Sequence, residues 1–230
     1  MTRFTAALLA VAVVFLRGCV APLQPPVSLG QDAVGTQSGR IGVVMTAMPK
    51  PDTQFPGAGC LLCLAAATAG NTSLTTYTQA LPTDDLASLK NEVADLIRKK
   101  GGNVKVIAEE LKIDTLPDAT ATGTNVARKD HTPLKKRFDV DKLLVINIVM
   151  VGFERSYSAY VPTSEPKGML IGQGYLVNLN NNTYEWHERV RIIRSADGKW
   201  DEPPKYPGLT NAYFQAVETG KDQFKKPFSQ

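Results

Sequence analysis

The fold is decided by the stretch KLLVINIVMVGF, residues 142–153. After Lys142, only Asn147 and Gly152 interrupt its apolar residues. A strand that is apolar on both faces is typical of the centre of a sheet that is covered on both sides. We therefore predict that this segment is the central strand and that it continues through Tyr160. The residues that we place in the core are Val145, Ile146, Ile148 and Val149.

Upstream of this strand, the sequence predicts a strand, a helix and a second strand. The two strands are Ile41–Met48 and Val104–Ile107, and the helix spans Thr83–Lys100. Thr83 suits the N-cap of that helix, and Gly101 suits the residue after its end. Its apolar positions recur every three or four residues, at Leu86, Leu89, Val93, Leu96 and Ile97. The strand–helix–strand order predicts a parallel pair with a right-handed crossover.

Downstream, two strands and a terminal helix complete the expected fold. The strands are Met169–Leu179 and Thr183–Arg194, joined by three asparagines that are typical of a hairpin turn, and the helix is Leu209–Phe224. Alternation along the second strand places His187 on its solvent face. The residues placed on its core face are Tyr184, Trp186, Val190 and Ile192. Together these elements predict an α/β fold (an α+β sandwich) with a mixed sheet of about five strands and helices packed on it.

The start of the chain has the pattern of a secretory signal. Met1-Thr2-Arg3 is basic, and the thirteen residues Phe4–Leu16 are apolar except for Thr5. This run is too short to cross the hydrocarbon core of a membrane, which needs about 20 apolar residues, but it suits a signal peptide. Leu16-Arg17-Gly18-Cys19 then matches the Leu-x-Gly-Cys lipobox of bacterial lipoproteins. This resemblance implies a signal peptide over 1–18 and a lipid on Cys19.

The residues after Cys19 predict a tether and one folded domain. Val20 stands where inner-membrane lipoproteins usually carry aspartate, so the resemblance implies a lipid-anchored protein on the periplasmic face of the outer membrane. Residues 19–40 are rich in proline, glycine and polar side chains, which is typical of a flexible linker, and 41–230 is the predicted single α/β domain. The formal charge falls from +4 to +2 because Arg3 and Arg17 leave with the signal, so nucleic acid is not an expected partner.

Cys60 and Cys63 form a C-x-x-C pair. In an oxidising compartment a local structural disulfide is the first hypothesis. The second is a thiol–disulfide enzyme, which needs the pair at the N-terminus of a helix, where the helix dipole lowers the thiol pKa. A zinc site ranks last, because only His131 and His187 could supply further nitrogen ligands.

An apolar insertion near residues 56–81 surrounds this pair, and its centre reads CLLCLAAATAG over 60–70. The run is too short to span a bilayer. Two interpretations stay open. The segment is either buried under the Thr83–Lys100 helix, or it makes contacts outside the monomer through Leu61, Leu62 and Leu64, because exposed apolar patches usually mark interaction sites.

Two stretches carry a resemblance to a known group, namely RFDVDKLLVINIVMVGFERSYSAY (137–160) and GMLIGQGYLVNLNNNTYEWHERV (168–190). With the lipobox and the order of elements, they resemble periplasmic lipoproteins with a TolB N-terminal-like domain, of the CsgG, PelC and LpoB type. This resemblance implies a non-enzymatic assembly or export accessory of the cell envelope, possibly oligomeric, whose partners are the outer membrane and an envelope protein or further copies of itself. We expect no catalytic residue, cofactor or metal. The alternatives are a periplasmic thiol–disulfide protein that uses Cys60 and Cys63, and a purely structural envelope lipoprotein.

Overall fold

A computed structural model describes residues 23–229, so the expected signal peptide and Cys19 lie outside the described residues. Within that part, six strands form one mixed sheet. They are β1 (Arg40–Met45), β2 (Asp52–Gln54), β3 (Asn103–Val106), β4 (Lys142–Glu154), β7 (Lys167–Asn178) and β8 (Thr183–Ser195). A separate two-stranded hairpin comprises β5 (Tyr157–Ser158) and β6 (Val161–Pro162). The expected class, a mixed sheet with helices packed on it, is confirmed.

The described helices lie mainly between β2 and β3 and at the end of the chain. They are α1 (Leu61–Gly70), α2 (Thr72–Thr78), α3 (Asp84–Ala87), α4 (Leu89–Lys99), α5 (Leu134–Phe138) and α6 (Pro207–Ser229). Short 3₁₀ turns occur at Gln31–Ala33 and Ile113–Thr115. The helix expected over Thr83–Lys100 is therefore split at Ser88, and the Thr83 side chain makes no capping hydrogen bond.

The apolar run of residues 142–153 forms the central strand, β4, as predicted. The sheet order is β3-β1-β4-β7-β8, with β2 also on β4. Strands β1 and β3 pair in parallel, which confirms the predicted parallel pair, and β7 and β8 form the expected antiparallel hairpin. Helices α4 and α6 cover one face of the sheet. The other face is covered over the first half of β4 by α5 and neighbouring loops, which supply Leu134, Phe138 and Ala127.

One predicted core residue is exposed. Val145, Ile146 and Ile148 are buried, whereas Val149 is 48% exposed. The register of β4 against β7 shifts between Ile148 and Met150, which marks a β-bulge at Val149. Because a bulge inserts one extra residue, strict alternation fails there and the extra side chain leaves the core.

The chain also leaves β4 earlier than expected. The strand ends at Glu154 instead of continuing through Tyr160, and the following residues turn into the β5–β6 hairpin. The Tyr157 amide donates to the Pro56 carbonyl and the Ala159 amide donates to the Gly57 carbonyl, so the hairpin is joined to the loop before α1. Gly57 is required here, because its φ is +90° and an added Cβ would lie 1.9 Å from the Tyr157 carbonyl oxygen.

Residues 27–39 pack on the sheet instead of forming part of a free tether. Val27 exchanges two backbone hydrogen bonds of 2.9 Å with His187, at the outer edge of β8. Val34 is buried in the core, and the Lys142 ammonium donates to the Ala33 carbonyl at 3.0 Å. This part of the expected tether is therefore part of the folded domain.

Candidate functional site

Helix α1 is held on the fold by few side chains. Cys63 and Ala67, four residues apart, are its two buried residues. They form a small cluster with Ala58, against which Phe55 and Tyr157 pack. The contacts belong to the loop before α1 and to the β5–β6 hairpin, so the helix lies at the end of β4 and outside the main core.

A buried asparagine fixes the end of α1. The Asn71 side-chain amide donates to the Ala67 carbonyl and to the Tyr157 hydroxyl, both at 2.7 Å. The Arg155 guanidinium donates to the side-chain oxygen of Asn71 at 3.0 Å. Because the amide has partners for its donors and its acceptor, this contact gives α1 one defined orientation despite its small buried area.

The outward side of α1 is apolar and exposed. Leu61, Leu62 and Leu64 are 85%, 70% and 46% exposed. Beside them the hairpin presents Tyr160 and Val161, and the Tyr160 hydroxyl lies 3.8 Å from Cys60 Sγ. We call these five residues the apolar surface. Burial under the predicted Thr83–Lys100 helix, one of the two open interpretations, is therefore wrong for the three leucines. Contact outside the monomer stays a prediction.

Cys60 and Cys63 lie at disulfide distance, with their sulfur atoms 2.19 Å apart. Cys60 is the N-cap of α1, and the Cys63 amide donates to its Sγ at 2.9 Å. The first cysteine is exposed and the second is buried. The structure thus places the pair at a helix N-terminus, which is the position that thiol–disulfide chemistry requires.

The apolar surface and the N-terminal segment lie at opposite ends of the sheet. Val27 forms a β-bridge with His187 at the edge of the sheet. His187 lies in register, across β7, with Val145 near the start of β4. The apolar surface lies at the other end of that strand, because its residues Tyr160 and Val161 belong to the hairpin that follows Glu154. Nine residues of strand separate the two levels, about 30 Å at roughly 3.3 Å per residue.

Both histidines of the chain line a second site that the sequence analysis missed. His187 is 2% exposed, so its placement on a solvent face was wrong. It shares its sheet face with Tyr175 and Tyr184, whereas Trp186 faces the other way. The register shift opposite Leu176 and Val177 makes Glu185 an extra residue in β8, which turns Tyr184 to the histidine side.

His131 completes this aromatic group. Its Nδ1 lies 2.8 Å from the Lys129 carbonyl, and its Nε2 lies 3.2 Å from the Tyr175 hydroxyl. Because a carbonyl can only accept, Nδ1 carries the proton and the Tyr175 hydroxyl donates to Nε2. Burial lowers the pKa of His131, and burial together with the nearby Arg189 lowers the pKa of His187. Both imidazoles are therefore neutral at neutral pH.

No group of three or more histidine, cysteine or acidic side chains is arranged to hold a metal ion within residues 23–229. Across the same residues, no helix combines the length and apolarity needed to cross a membrane.

Comparison with known proteins identifies no family. No protein-family model and no curated protein matches the chain. Similar solved structures include the PelC dodecamer from Paraburkholderia phytofirmans, with a TM-score of 0.38, 10% identity and coverage of 89% of this chain and 95% of that one. Protein XCC0632 from Xanthomonas campestris gives a TM-score of 0.41, 14% identity, and coverage of 88% and 90%. Lipoprotein GNA1162 from Neisseria meningitidis gives a TM-score of 0.27 and 16% identity, with coverage of 78% of this chain and 95% of that one. TM-scores this low carry neither a function nor an assembly over to this chain, and the TolB N-terminal-like domain stays a prediction.

Proposed function

We propose that the protein is an outer-membrane lipoprotein that acts as a non-enzymatic assembly or export accessory of the cell envelope, through contacts made by the apolar surface. The observation that supports this is the exposure of α1. Its ten residues carry no charge, yet eight of them are exposed. A helix that is apolar on all sides is normally buried, so its exposure here indicates a covering partner.

The partner that fits best is a second copy of the same chain. A contact between identical surfaces brings like residues together, and charged residues would then repel one another. Helix α1 avoids this cost because it has no charge. Its alanines and Gly70 also allow two helices to approach closely. An anchor at the N-terminal end, about 30 Å away along β4, leaves the apolar surface turned away from its own membrane.

Replacing Leu61 and Leu62 with serine tests this proposal. Both side chains are mostly exposed, so the monomer should keep its stability to within roughly 1 kcal/mol. Cross-linking in intact cells, followed by sedimentation of the purified protein, should show assemblies in the wild type and monomers in the variant. A matched control is Val149→Ser, which removes another exposed apolar side chain from the bulge of β4.

Three other outcomes are informative. Unchanged assembly in the leucine variant would refute the proposed contact. Loss of cooperative unfolding in the monomer would show that the leucines support the fold. Binding of the wild type to uncharged lipid vesicles through Leu61 and Leu62, without self-association, would assign the surface to a membrane instead.

The proposed anchor is tested separately. Cys19→Ala should abolish labelling by a fatty-acid analogue and release the protein from the outer-membrane fraction. If the variant still labels and fractionates with that membrane, the lipidation at Cys19 is wrong. The self-association test does not depend on this result, because sedimentation measures the folded domain.

A thiol–disulfide activity is the second candidate, and the exposed Cys60 at the N-cap of α1 favours it. In that reaction a dithiol substrate would give two electrons and two protons to the Cys60–Cys63 disulfide. The substrate would become a disulfide and the pair would become two thiols. Turnover of a reduced dithiol peptide in the presence of an added disulfide oxidant that regenerates the pair, lost in Cys60→Ser, would establish this activity. A non-enzymatic protein should show no such turnover.

A further inference from the structure

The second site is a cavity of about 250 Å³ on the sheet face opposite α6. Its floor is formed by Tyr175, Tyr184, His131 and His187, whose rings contact one another with centroids 5.2 to 6.4 Å apart. Leu23 and Gln24 also line it, so the cavity opens beside the first described residues. Its volume is close to the lower end of small-molecule sites, about 300–1,000 Å³, and suits a compact ligand.

The charges that line this cavity are all positive. They belong to Arg128, Lys129 and Arg189, and no carboxylate lines the cavity among residues 23–229. Lys129 is partly neutralised by Asp118, at 2.8 Å. Arg189 makes no ion pair within the same described residues, and its charge lowers the pKa of the neighbouring His187.

A further acidic residue beside the floor, Asp130, already has hydrogen-bond partners. Asp130 lies beside His131, but its carboxylate accepts hydrogen bonds from the backbone amide and hydroxyl of Thr132, at 2.9 and 2.7 Å. Arg128 lies close to Tyr184, where burial raises the pKa of the tyrosine and Arg128 opposes that shift. The cavity is therefore lined by two exposed arginines, Arg128 and Arg189, and by an aromatic floor of which Tyr175, His131 and His187 are buried.

We propose that this cavity binds a phosphate ester, with the phosphate held by Arg128 and Arg189 and the esterified group placed against the aromatic floor. A guanidinium group presents a planar fork of donors that matches two phosphate oxygens. The floor adds apolar ring surface and a tyrosine hydroxyl. A bare anion would leave that floor without a contact, so the ester accounts for more of the site.

The position of the cavity suggests a source for such an ester. Leu23 is four residues from Cys19, a chain length of at most about 14 Å. If Cys19 carries the lipid, a point that rests on the proposed function, the cavity opens close to the phosphate headgroups of the membrane. A soluble phosphate ester has the same chemistry, and the experiment separates the two sources.

The two histidines provide the measurement, because no other imidazole occurs in the chain. Imidazole resonances of the purified mature protein, in an uncharged detergent, would be followed by NMR at about pH 8, above the ordinary histidine pKa of about 6.5. The probes are glycerol 3-phosphate and dihexanoylphosphatidylglycerol, with dihexanoylglycerol, which lacks the phosphate, and sodium chloride at equal ionic strength as references. We expect a saturable shift of both imidazoles with at least one of the two probes.

Charge-removing variants decide whether the arginines bind the ligand. Arg189→Gln and Arg128→Gln should each weaken binding about tenfold, the effect of one charge-assisted hydrogen bond of about 1.4 kcal/mol. Arg98→Gln is the matched control, because Arg98 is an exposed arginine of α4 paired with Asp95. An unchanged far-ultraviolet circular dichroism spectrum and melting temperature without ligand show that each variant is folded.

Saturation by glycerol 3-phosphate supports a soluble ester, and saturation by the phosphatidylglycerol alone supports a lipid headgroup. The proposal is overturned if neither probe gives a saturable shift, if sodium chloride reproduces it, or if Arg98→Gln weakens binding as much as Arg189→Gln. None of these results depends on the leucines of the apolar surface, so this proposal and the proposed self-association can fail independently.

Discussion

Replacing Phe224 with alanine tests how α6 is held on the sheet. The ring is 1% exposed and lies over β7 at two glycines. A Cβ built on Gly172 or Gly174 would lie 3.2 Å from the Phe224 ring. The two glycines thus form the floor on which this ring packs, and the absence of side chains there is what lets α6 approach the sheet.

The expected loss of stability on replacing Phe224 with alanine depends on the two glycines beneath its ring. A buried phenylalanine replaced by alanine costs about 3–5 kcal/mol, and the cost rises with the cavity that remains. Glycines have no side chain that could move into the space, so we expect a loss near the upper end, about 4–5 kcal/mol. In a chain of this size each kcal/mol lowers the melting temperature by roughly 2–4 °C, which gives a fall of about 8–20 °C.

Denaturant unfolding of the wild type and two variants provides the assay. The control is Phe214→Ala, which removes the same side chain from the same helix at a position that is 38% exposed. Its cost should stay below about 2 kcal/mol, because much of the ring is already in water. A loss for Phe224→Ala no larger than that for Phe214→Ala would refute the packing of α6 described above.

Three further predictions concern the core, the buried histidines and the cysteine pair. Ile148→Asp places an unpaired carboxylate in the core and should cost about 4 kcal/mol or more; a nearly unchanged melting temperature would contradict the assignment. Because the folded pKa values of His131 and His187 are lowered, the unfolded chain binds protons first, so the free energy of unfolding should be constant above about pH 6.5 and fall as the pH drops below it. Denaturation midpoints between about pH 8 and pH 5 measure this, and replacing both histidines with glutamine should flatten the curve. Reduction of Cys60 and Cys63, which close a four-residue loop, should cost at most about 2 kcal/mol, and a loss of all structure on reduction would contradict their small role in the fold.

The sequence predicts the framework of the fold because the framework depends on local patterns. A strand that is apolar on both faces has no stable place except the middle of a covered sheet, and β4 lies there. The spacing of Leu86, Leu89, Val93 and Ile97 likewise predicts the buried face of α3 and α4, and all four are fully buried.

Two errors in assigning side chains to a face of the sheet occur where one residue is inserted into a strand. Val149 and Glu185 each break the alternation that was used to assign faces, so Val149 leaves the core and Tyr184 joins the histidine side. A bulge has no reliable sequence signal at these positions, since neither is a glycine. The burial of His187 could not be predicted for another reason: it depends on Val27 and the 125–131 loop, which are distant in sequence.

The exposure of α1 illustrates a different limit. The composition of α1, which includes Leu61, Leu62 and Leu64, is typical of a helix buried in a core. The same composition suits a helix that is covered by another molecule. Only the position of its two buried residues, Cys63 and Ala67, separates these cases. The sequence therefore predicts an apolar insertion but leaves its environment open.

The distance between the N-terminal segment and the apolar surface has a consequence for encounter rates. Chains attached to one membrane through the same end would all present that surface at the same height, about 30 Å along the sheet from the attachment side. Neighbours would then search for one another in a plane instead of a volume, at a local concentration that tethering can raise to the millimolar range. Attachment to the membrane would therefore raise the occupied fraction of the contact above its value in dilute solution.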